Sequence, residues 1–211
     1  IIDHQLQGLP LTPQGTSGTR NFNYIQSPFD IKKDLETFKR LFEYSHLAVL
    51  VPAEENLMFQ TVSSYFNEAA ALASPHSHLS IVGIDPEKIQ ESVAKIPASV
   101  DAAYILPLFP EERPDREKAL INAINKKQLP TFALLGERHV KMGVMAGIAP
   151  ERNYGAITRR IAINVLEILD GRDAGTLPVT ISPYSDNFVV NVETFRKIDY
   201  YPGFKTMENA R

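Results

Sequence analysis

Short apolar runs that alternate with longer amphipathic segments constrain the fold of this chain more than any other feature. Each run has the length of a strand and is apolar throughout, which is typical of a strand that is covered on both faces. The segments between them carry apolar residues at helical spacing. The predicted strands are residues 47–51, 79–84, 102–106 and 131–135, and the predicted helices between them are 56–72, 86–95 and 115–127. Strands of about five residues alternating with helices of about 10 to 17 residues predict an α/β fold with a doubly wound, mostly parallel sheet.

We expect the four predicted strands to be parallel neighbours in one sheet. Each is separated from the next by a helix long enough for a right-handed crossover. A further helix precedes the first strand, because apolar residues recur between Ile31 and Phe42 and Pro28 lies just before them. Residues 21–138 therefore predict one compact lobe.

The pattern changes after residue 143. A short strand of small residues at 144–148 leads into a long helix from Tyr154 to Leu169, which ends at a glycine, Gly171. A last strand at 187–192 and a short helical turn follow. In the long helix, Ile161, Val165, Ile168 and Leu169 recur at helical spacing, so we expect them to form its buried stripe. Residues 1–18, the strand at 143–148 or a second copy of the chain would cover that stripe, and the last of these would make a homodimer.

Composition excludes several classes of protein. The chain has 22 basic and 25 acidic residues, a formal net charge of -3 and no cysteine. The absence of a basic run argues against nucleic acid as a partner, and the absence of cysteine excludes disulfides and thiolate metal sites. No apolar stretch reaches the roughly 18 to 20 residues of a membrane span, and the first residues lack the order of a signal peptide. Because the chain opens on what reads as the end of a strand, we expect it to be a fragment.

Five segments carry a family resemblance by their order and spacing. They are residues 129–136 (LPTFALLG), 140–147 (VKMGVMAG), 159–171 (RRIAINVLEILDG), 175–179 (GTLPV) and 190–195 (VNVETF). Together they make the chain resemble, over nearly its whole length, the substrate-binding proteins of uncharacterised ABC-type transport systems. That family is a branch of the periplasmic binding proteins with two Rossmann-like lobes. Residues 173–178 and 191–202 are similar to a subgroup in which such a region precedes an outer-membrane efflux channel of the TolC type.

The resemblance implies a division of the chain between two lobes of periplasmic-binding-protein type I. Residues 1–18 would be a first-lobe remnant and crossover, and 19–140 would be the second Rossmann-like lobe. Residues 141–172 would add a strand and a helix to the first lobe, and 173–211 would return to the second lobe and form the tail. The first lobe would be incomplete in this chain.

Ligands of open α/β folds bind outside the carboxyl ends of the strands. The residues that this rule selects, with one aromatic residue near the expected hinge, are Tyr24, Ala53, Glu54, Asn56, Leu108, Phe109, Gly136, Glu137 and His139. Structural roles stay open for three of them: Glu54 would cap its own helix, Tyr24 would be a buried hinge residue, and His139 would lie on the surface. Family members often carry Thr-Asp-Asn where this chain has 107–109. That departure disfavours amino-acid-like ligands and favours an apolar or aromatic ligand, or none.

Catalytic and metal motifs are missing from the sequence. It contains no G-x-S-x-G, Walker or G-x-G-x-x-G motif, and His76 and His78 have no third ligand nearby. We therefore expect no enzymatic activity, no cofactor and no metal. The predicted function is a solute-binding or sensing module of a transport or efflux system, in the periplasm or cell envelope of a bacterium, with an ABC permease or an outer-membrane efflux channel as partner. The alternative is a degenerate binding-protein domain that serves as an interaction or regulatory domain on such a channel.

A truncated first lobe has a consequence for affinity. A two-lobed binding protein closes both lobes over its ligand, so the loss of one lobe removes about half of the contacts and the closure itself. We expect this chain to bind a small ligand no more tightly than about millimolar, near -4.1 kcal/mol.

Overall fold

Strands and helices alternate in the computed structural model of the chain, as the apolar pattern predicts. The structure describes residues 8–26, 30–53, 56–73, 76–109, 113–148, 154–180 and 188–200. In chain order the elements are α1 (Ile31–Phe42), β1 (His46–Pro52), α2 (Asn56–Ala73), β2 (His78–Ile84), α3 (Ile89–Ala94), β3 (Ala102–Ile105), α4 (Pro114–Lys126), β4 (Thr131–Ala133), α5 (Glu137–Lys141), β5 (Ala146–Ile148), α6 (Tyr154–Leu169), the 3-10 helix η1 (Ala174–Thr176), β6 (Phe188–Val190) and α7 (Val192–Lys197).

The strands form one six-stranded sheet in the order β2-β1-β3-β4-β5-β6. Strands β1 to β4 are parallel neighbours, which confirms the predicted doubly wound, mostly parallel sheet. Strand β5 pairs parallel with β4 through Phe132 and Ala146, and β6 pairs antiparallel with β5. Strand β5 therefore extends the sheet that β1 to β4 begin. The assignment of 141–172 and of the other segments to two lobes stays a prediction.

The chain divides into two compact units. The larger unit comprises Asp30–Ala149 and Ser185–Arg211 and contains the sheet, and the smaller unit comprises Ile1–Phe29 and Pro150–Tyr184.

One face of the sheet in the larger unit packs against α3 and α4. Alternate residues of β1, such as Ala48 and Leu50, point to this side, as do Val82 and Ile84 of β2. They meet Leu120 and neighbouring apolar residues of α4. Because both faces of these strands are covered, β1 is buried along nearly its whole length, as its continuous apolar run predicts.

Aromatic rings fill the opposite face, beneath α1 and α2. Phe38 of α1 packs on Phe132 of β4 with ring centroids 5.2 Å apart, and Phe66 of α2 meets Tyr104 of β3 edge to face at 5.5 Å. The Tyr104 hydroxyl donates a hydrogen bond to the carboxylate of Asp34, which is buried in α1. A buried carboxylate is stable only when hydrogen-bonded, so this contact joins α1 to the centre of the sheet.

Helix α6 dominates the smaller unit, but its apolar residues face outwards. The predicted stripe is wrong: Ile161, Val165, Ile168 and Leu169 are 43%, 48%, 40% and 76% exposed. The buried side of α6 instead carries Asn164, whose amide donates to the Asn23 side chain at 2.9 Å and to the Pro178 carbonyl at 2.8 Å. Within the described residues of this unit the only β-pairing is a single bridge, Thr16 to Pro178, so no sheet covers the apolar side.

Short hydrogen bonds hold the two segments that lie along α6 in this unit. The Asp173 carboxylate accepts from the backbone N–H groups of Asn21 and Gly175, both at 2.8 Å. These two bonds favour the ionised form, so they hold the pKa of Asp173 below its ordinary value of 3.8. The Val179 N–H donates to the Gly15 carbonyl at 2.9 Å, which joins the segment after η1 to the segment around Gly15.

Candidate functional site

A pocket of about 270 Å³ opens at the carboxyl ends of the strands in the larger unit. Two residues come from the end of β1, two from the end of β2, two from the segment after β3, and two from the start of α4. They are Pro52, Ala53, Ile84, Pro86, Leu108, Phe109, Arg113 and Arg116.

The strand order explains why a crevice forms here. Strand β2 lies on one side of β1 and β3 on the other. The connections that follow β1 and β3 therefore run in opposite directions from the sheet, and a crevice forms between them at the carboxyl end of β1. The N–H of Ala53 donates to the Ile84 carbonyl at 3.1 Å, which closes the gap between the ends of β1 and β2. Phe109 is buried and belongs to the core beneath the pocket, so the floor is apolar.

Two guanidinium groups supply the charge in the pocket wall. Arg116 is 17% exposed in its side chain and contacts the Glu87 carboxylate at 2.5 Å, while Glu87 is 72% exposed. Arg113 lies 3.5 Å from the carboxylate of its neighbour Asp115, and both of those side chains are solvent-exposed. An exposed ion pair such as Arg113–Asp115 contributes only about 0 to 1 kcal/mol, so an incoming anion competes with it readily. In the Arg116–Glu87 pair only the carboxylate is exposed.

Three of the residues selected from the sequence lie together in this pocket. Ala53, Leu108 and Phe109 line it, and their contact with a ligand stays a prediction. Glu54 lies outside the described residues. Asn56 is the first residue of α2, and its side chain is also outside the described part of the chain.

The other selected residues do not line the pocket. Tyr24 is buried in the smaller unit, where its hydroxyl donates to the Pro10 carbonyl at 2.9 Å. Gly136 directly precedes α5, and Glu137 is exposed and pairs with Lys141 at 2.6 Å. His139 is buried in α5 rather than exposed on the surface.

Glu117 organises a buried polar contact between α4 and α5. One of its carboxylate oxygens lies 3.2 Å from His139 Nε2, and the other lies 3.1 Å from Arg138 Nη2. Burial lowers the pKa of His139 below its ordinary value of 6.5, and the nearby Glu117 carboxylate only partly offsets that effect. The imidazole is therefore held in its neutral form at neutral pH. This contact lies one residue along α4 from Arg116, so it fixes the helix that carries the pocket arginine.

The lowered pKa of His139 predicts a pH dependence of stability. Between the folded pKa and 6.5 the unfolded chain binds more protons than the folded chain, so stability falls as pH falls through 6.5 and levels off below the folded pKa. The slope from one such group is at most about 1.4 kcal/mol per pH unit. We expect the unfolding free energy of the His139→Gln variant to fall less between about pH 7 and pH 5 than that of the unchanged chain. Urea titration at the two pH values measures this.

The matched control for that measurement is His76→Gln, because His76 is exposed. Its profile should follow that of the unchanged chain. Identical slopes for the His139 variant and the unchanged chain would show that His139 is not the group responsible.

The arginines were missed from the sequence, together with Ile84 and Pro86. A weak signal exists for them, because Arg113 precedes Pro114, and proline is favoured in the first turn of a helix. The start of a helix that follows a parallel strand lies near the carboxyl edge of the sheet. The direction in which these side chains point depends on the path of residues 107–113, which periodicity does not specify.

The described residues contain no group of three or more histidine or acidic side chains that is arranged to hold a metal ion. None of the helices in that part of the chain combines the length and the hydropathy of a membrane span.

Solved structures resemble the chain in fold, whereas no protein-family model and no curated protein matches it. The ABC domain in complex with L-Trp from Streptococcus pneumoniae has a TM-score of 0.73 at 15% identity, covering 100% of this chain and 70% of that one. A conserved domain protein from Vibrio cholerae O1 biovar El Tor scores 0.68 at 18% identity, covering 89% of this chain and 61% of that one. The ligand-free, open form of a substrate-binding protein with adhesive properties from Clostridium difficile scores 0.66 at 18% identity, covering 99% and 67%.

At these identities the likeness establishes the fold, which is of the periplasmic-binding-protein type. The chain spans less than two thirds of the Vibrio protein and about two thirds of the other two structures.

Proposed function

We propose that the chain is a non-enzymatic solute-binding module that holds a small ligand at the carboxyl edge of its sheet. The observation that carries this proposal is the pocket between the ends of β1, β2 and β3, with an apolar floor and two arginines in its wall. Pockets of this composition, at the switch point of an open α/β sheet, are the usual place for a ligand. The fold it shares with a protein solved in complex with L-Trp and with a substrate-binding protein supports the same role.

The pocket forms one wall of the proposed site. In a two-lobed binding protein a second lobe closes over the ligand, and contacts from both lobes add. We place the complete site in such an interlobe cleft, with the first lobe supplying the opposite wall. This 211-residue chain, in which the first lobe would be incomplete, then binds no more tightly than about millimolar.

We also propose that the module serves a transport or efflux system in the bacterial cell envelope. An ABC permease or an outer-membrane efflux channel would be its partner. The support is the resemblance of residues 173–178 and 191–202 to the subgroup attached to a TolC-type channel.

A protein-interaction role is the second candidate, and the exposed apolar side of α6 favours it. Leu166 and Leu169 are among the most exposed large apolar residues in the described part of the chain. Apolar surface of this kind commonly marks a contact with another protein or another part of the same protein. In that case the domain has kept the fold and lost its ligand.

A chemical-shift titration distinguishes the two roles. We would add amino acids, peptides, nucleosides and aromatic acids at millimolar concentration to the ¹⁵N-labelled chain and follow the backbone amides. Solute binding predicts saturable shifts at the pocket residues, for example Ala53, Ile84 and Leu108. A panel that leaves these amides unmoved contradicts the solute-binding role.

Two tryptophan variants control for nonspecific shifts. Ala53→Trp places a large ring in the pocket and should abolish the titration. Ala98→Trp places the same ring at an exposed position of the same unit and should leave the titration intact.

A further inference from the structure

We infer that the solute is a small anion with an apolar body, such as a carboxylate joined to an aromatic or branched aliphatic group. This inference rests on the proposed solute-binding function and specifies the ligand class for that same pocket.

The apolar part of the ligand follows from the pocket floor. Ile84 and Phe109 are buried at the carboxyl edge of the sheet, and Leu108 is packed against the same core. Pro52 and Pro86 add apolar surface without a side-chain hydrogen-bonding group. A sugar or another polyhydroxylated solute placed here would leave hydroxyl groups against carbon without hydrogen-bond partners, which disfavours its binding.

The charge of the ligand follows from the wall. Arg113 and Arg116 are the charged residues among the described pocket-lining residues, and that set includes no acid. A guanidinium group presents several N–H donors in a fixed plane, which suits a carboxylate. Both guanidinium groups are already paired with acids outside the lining, Arg116 with Glu87 and Arg113 with Asp115, so a ligand carboxylate would compete with these acids. A ligand ammonium group would find no acidic acceptor among the described lining residues.

Asp85 lies between two lining residues in the sequence, but its carboxylate is engaged in its own turn. The carboxylate accepts from the N–H of Glu87 at 2.8 Å, and its backbone N–H donates to the Ser92 hydroxyl at 3.1 Å. Asp85 therefore stabilises the turn that precedes α3, and it is not among the pocket-lining residues.

Glu87 competes with a ligand anion for Arg116. The Arg116 side chain is mostly buried, whereas its partner Glu87 is mostly exposed and lies outside the pocket lining. A carboxylate bound in the pocket would contact the same guanidinium group that the Glu87 carboxylate contacts. Removal of that competitor should strengthen binding, an effect that damage to the fold cannot imitate.

Three compounds with the same phenyl group test the inference on the full 211-residue chain. Phenylacetate, phenylacetamide and phenethylamine differ in the charge of the head group, and each is titrated by chemical shift at the pocket amides. We expect phenylacetate to bind roughly tenfold more tightly than the amide, as one charge-assisted hydrogen bond would give. The amine should bind least.

Variants assign the effect to residues. Arg116→Gln should weaken phenylacetate roughly tenfold and leave phenylacetamide unchanged. Glu87→Gln should tighten phenylacetate roughly twofold to fivefold, the range expected for loss of an exposed competing pair. Arg196→Gln on α7 is the matched control, since Arg196 is exposed and lies outside the pocket lining, and it should change neither affinity.

The outcomes separate the two proposals. Equal binding of acid and amide, or tighter binding of the amine, overturns the anion inference and leaves solute binding intact. The same holds if the three phenyl compounds fail while a solute without a carboxylate, such as a nucleoside, shifts the pocket amides. If no class shifts them, the solute-binding function itself is overturned.

Discussion

Replacement of Gly147 by alanine is expected to lower the free energy of unfolding by about 2 to 4 kcal/mol. Gly147 lies in the middle of β5, and a Cβ atom there would be 2.7 Å from the Gly136 Cα and 3.0 Å from the Ala133 carbonyl oxygen. Both neighbours are backbone atoms at the junction of β4 and α5, so relief of the clash requires the sheet or the helix to shift. Urea unfolding followed by circular dichroism measures the loss.

Gly83→Ala is the matched control for this clash. Gly83 also lies in a strand of the same sheet, but its added Cβ would be 3.2 Å from the Ala53 Cα, a contact that a small movement relieves. We expect its cost to be clearly smaller than that of the Gly147 variant. Equal costs at the two positions would mean that the close approach of β5 to Gly136 is not what requires glycine.

Loss of the Tyr104 hydroxyl is expected to cost about 1 to 3 kcal/mol. Tyr104→Phe keeps the ring and its packing against Phe66 and Phe132, but it removes a hydrogen-bond donor from the buried Asp34 carboxylate. A buried acceptor that loses a hydrogen-bond donor keeps the free-energy cost of its removal from water without that compensating hydrogen bond. Urea unfolding at neutral pH measures the difference.

Tyr44→Phe controls for loss of a buried hydroxyl as such. The Tyr44 hydroxyl donates to the neutral Leu35 carbonyl at a long 3.4 Å, so its removal should cost less than about 1 kcal/mol. A double-mutant cycle with Asp34→Asn then isolates the coupling between Tyr104 and Asp34. A coupling near zero would contradict the role assigned to this hydrogen bond.

The sheet was predictable because its strands are buried on both faces. A strand that is apolar throughout is stable only where both of its faces are covered, which places it inside the sheet. Helices of adequate length between such strands imply parallel crossovers. The ends were less predictable. Strand β4 stops at Ala133, two residues before the expected end, because the Gly136 N–H turns back to the Ala133 carbonyl at 3.0 Å.

The orientation of α6 illustrates what periodicity omits. Spacing identifies which residues share a side of a helix, but it does not identify which side has something to pack against. In the smaller unit the available neighbours offer the side chain of Asn23 and the carbonyl of Pro178, so Asn164 takes the buried position. The apolar residues beside it point away.

The candidate site was predictable where it follows from strand ends. Ala53, Leu108 and Phe109 were selected because they follow β1 and β3, and they line the pocket. His139 was selected by the same rule, yet it is buried against Glu117, which lies 22 residues earlier in the chain. That pairing depends on how α4 and α5 pack, a long-range feature that no local pattern encodes.

The uncovered side of α6 affects how ligand screens on this chain should be read. Hydrophobic dyes fluoresce on exposed apolar surface, and Val165, Leu166 and Leu169 present such surface in the folded chain. In a dye-based melting assay the fluorescence would therefore be high before unfolding begins. The further increase on unfolding of the larger unit would be small. The chain has eight tyrosines and no tryptophan. Tyrosine emission or far-ultraviolet circular dichroism would follow the melting of the sheet without a signal from α6-bound dye.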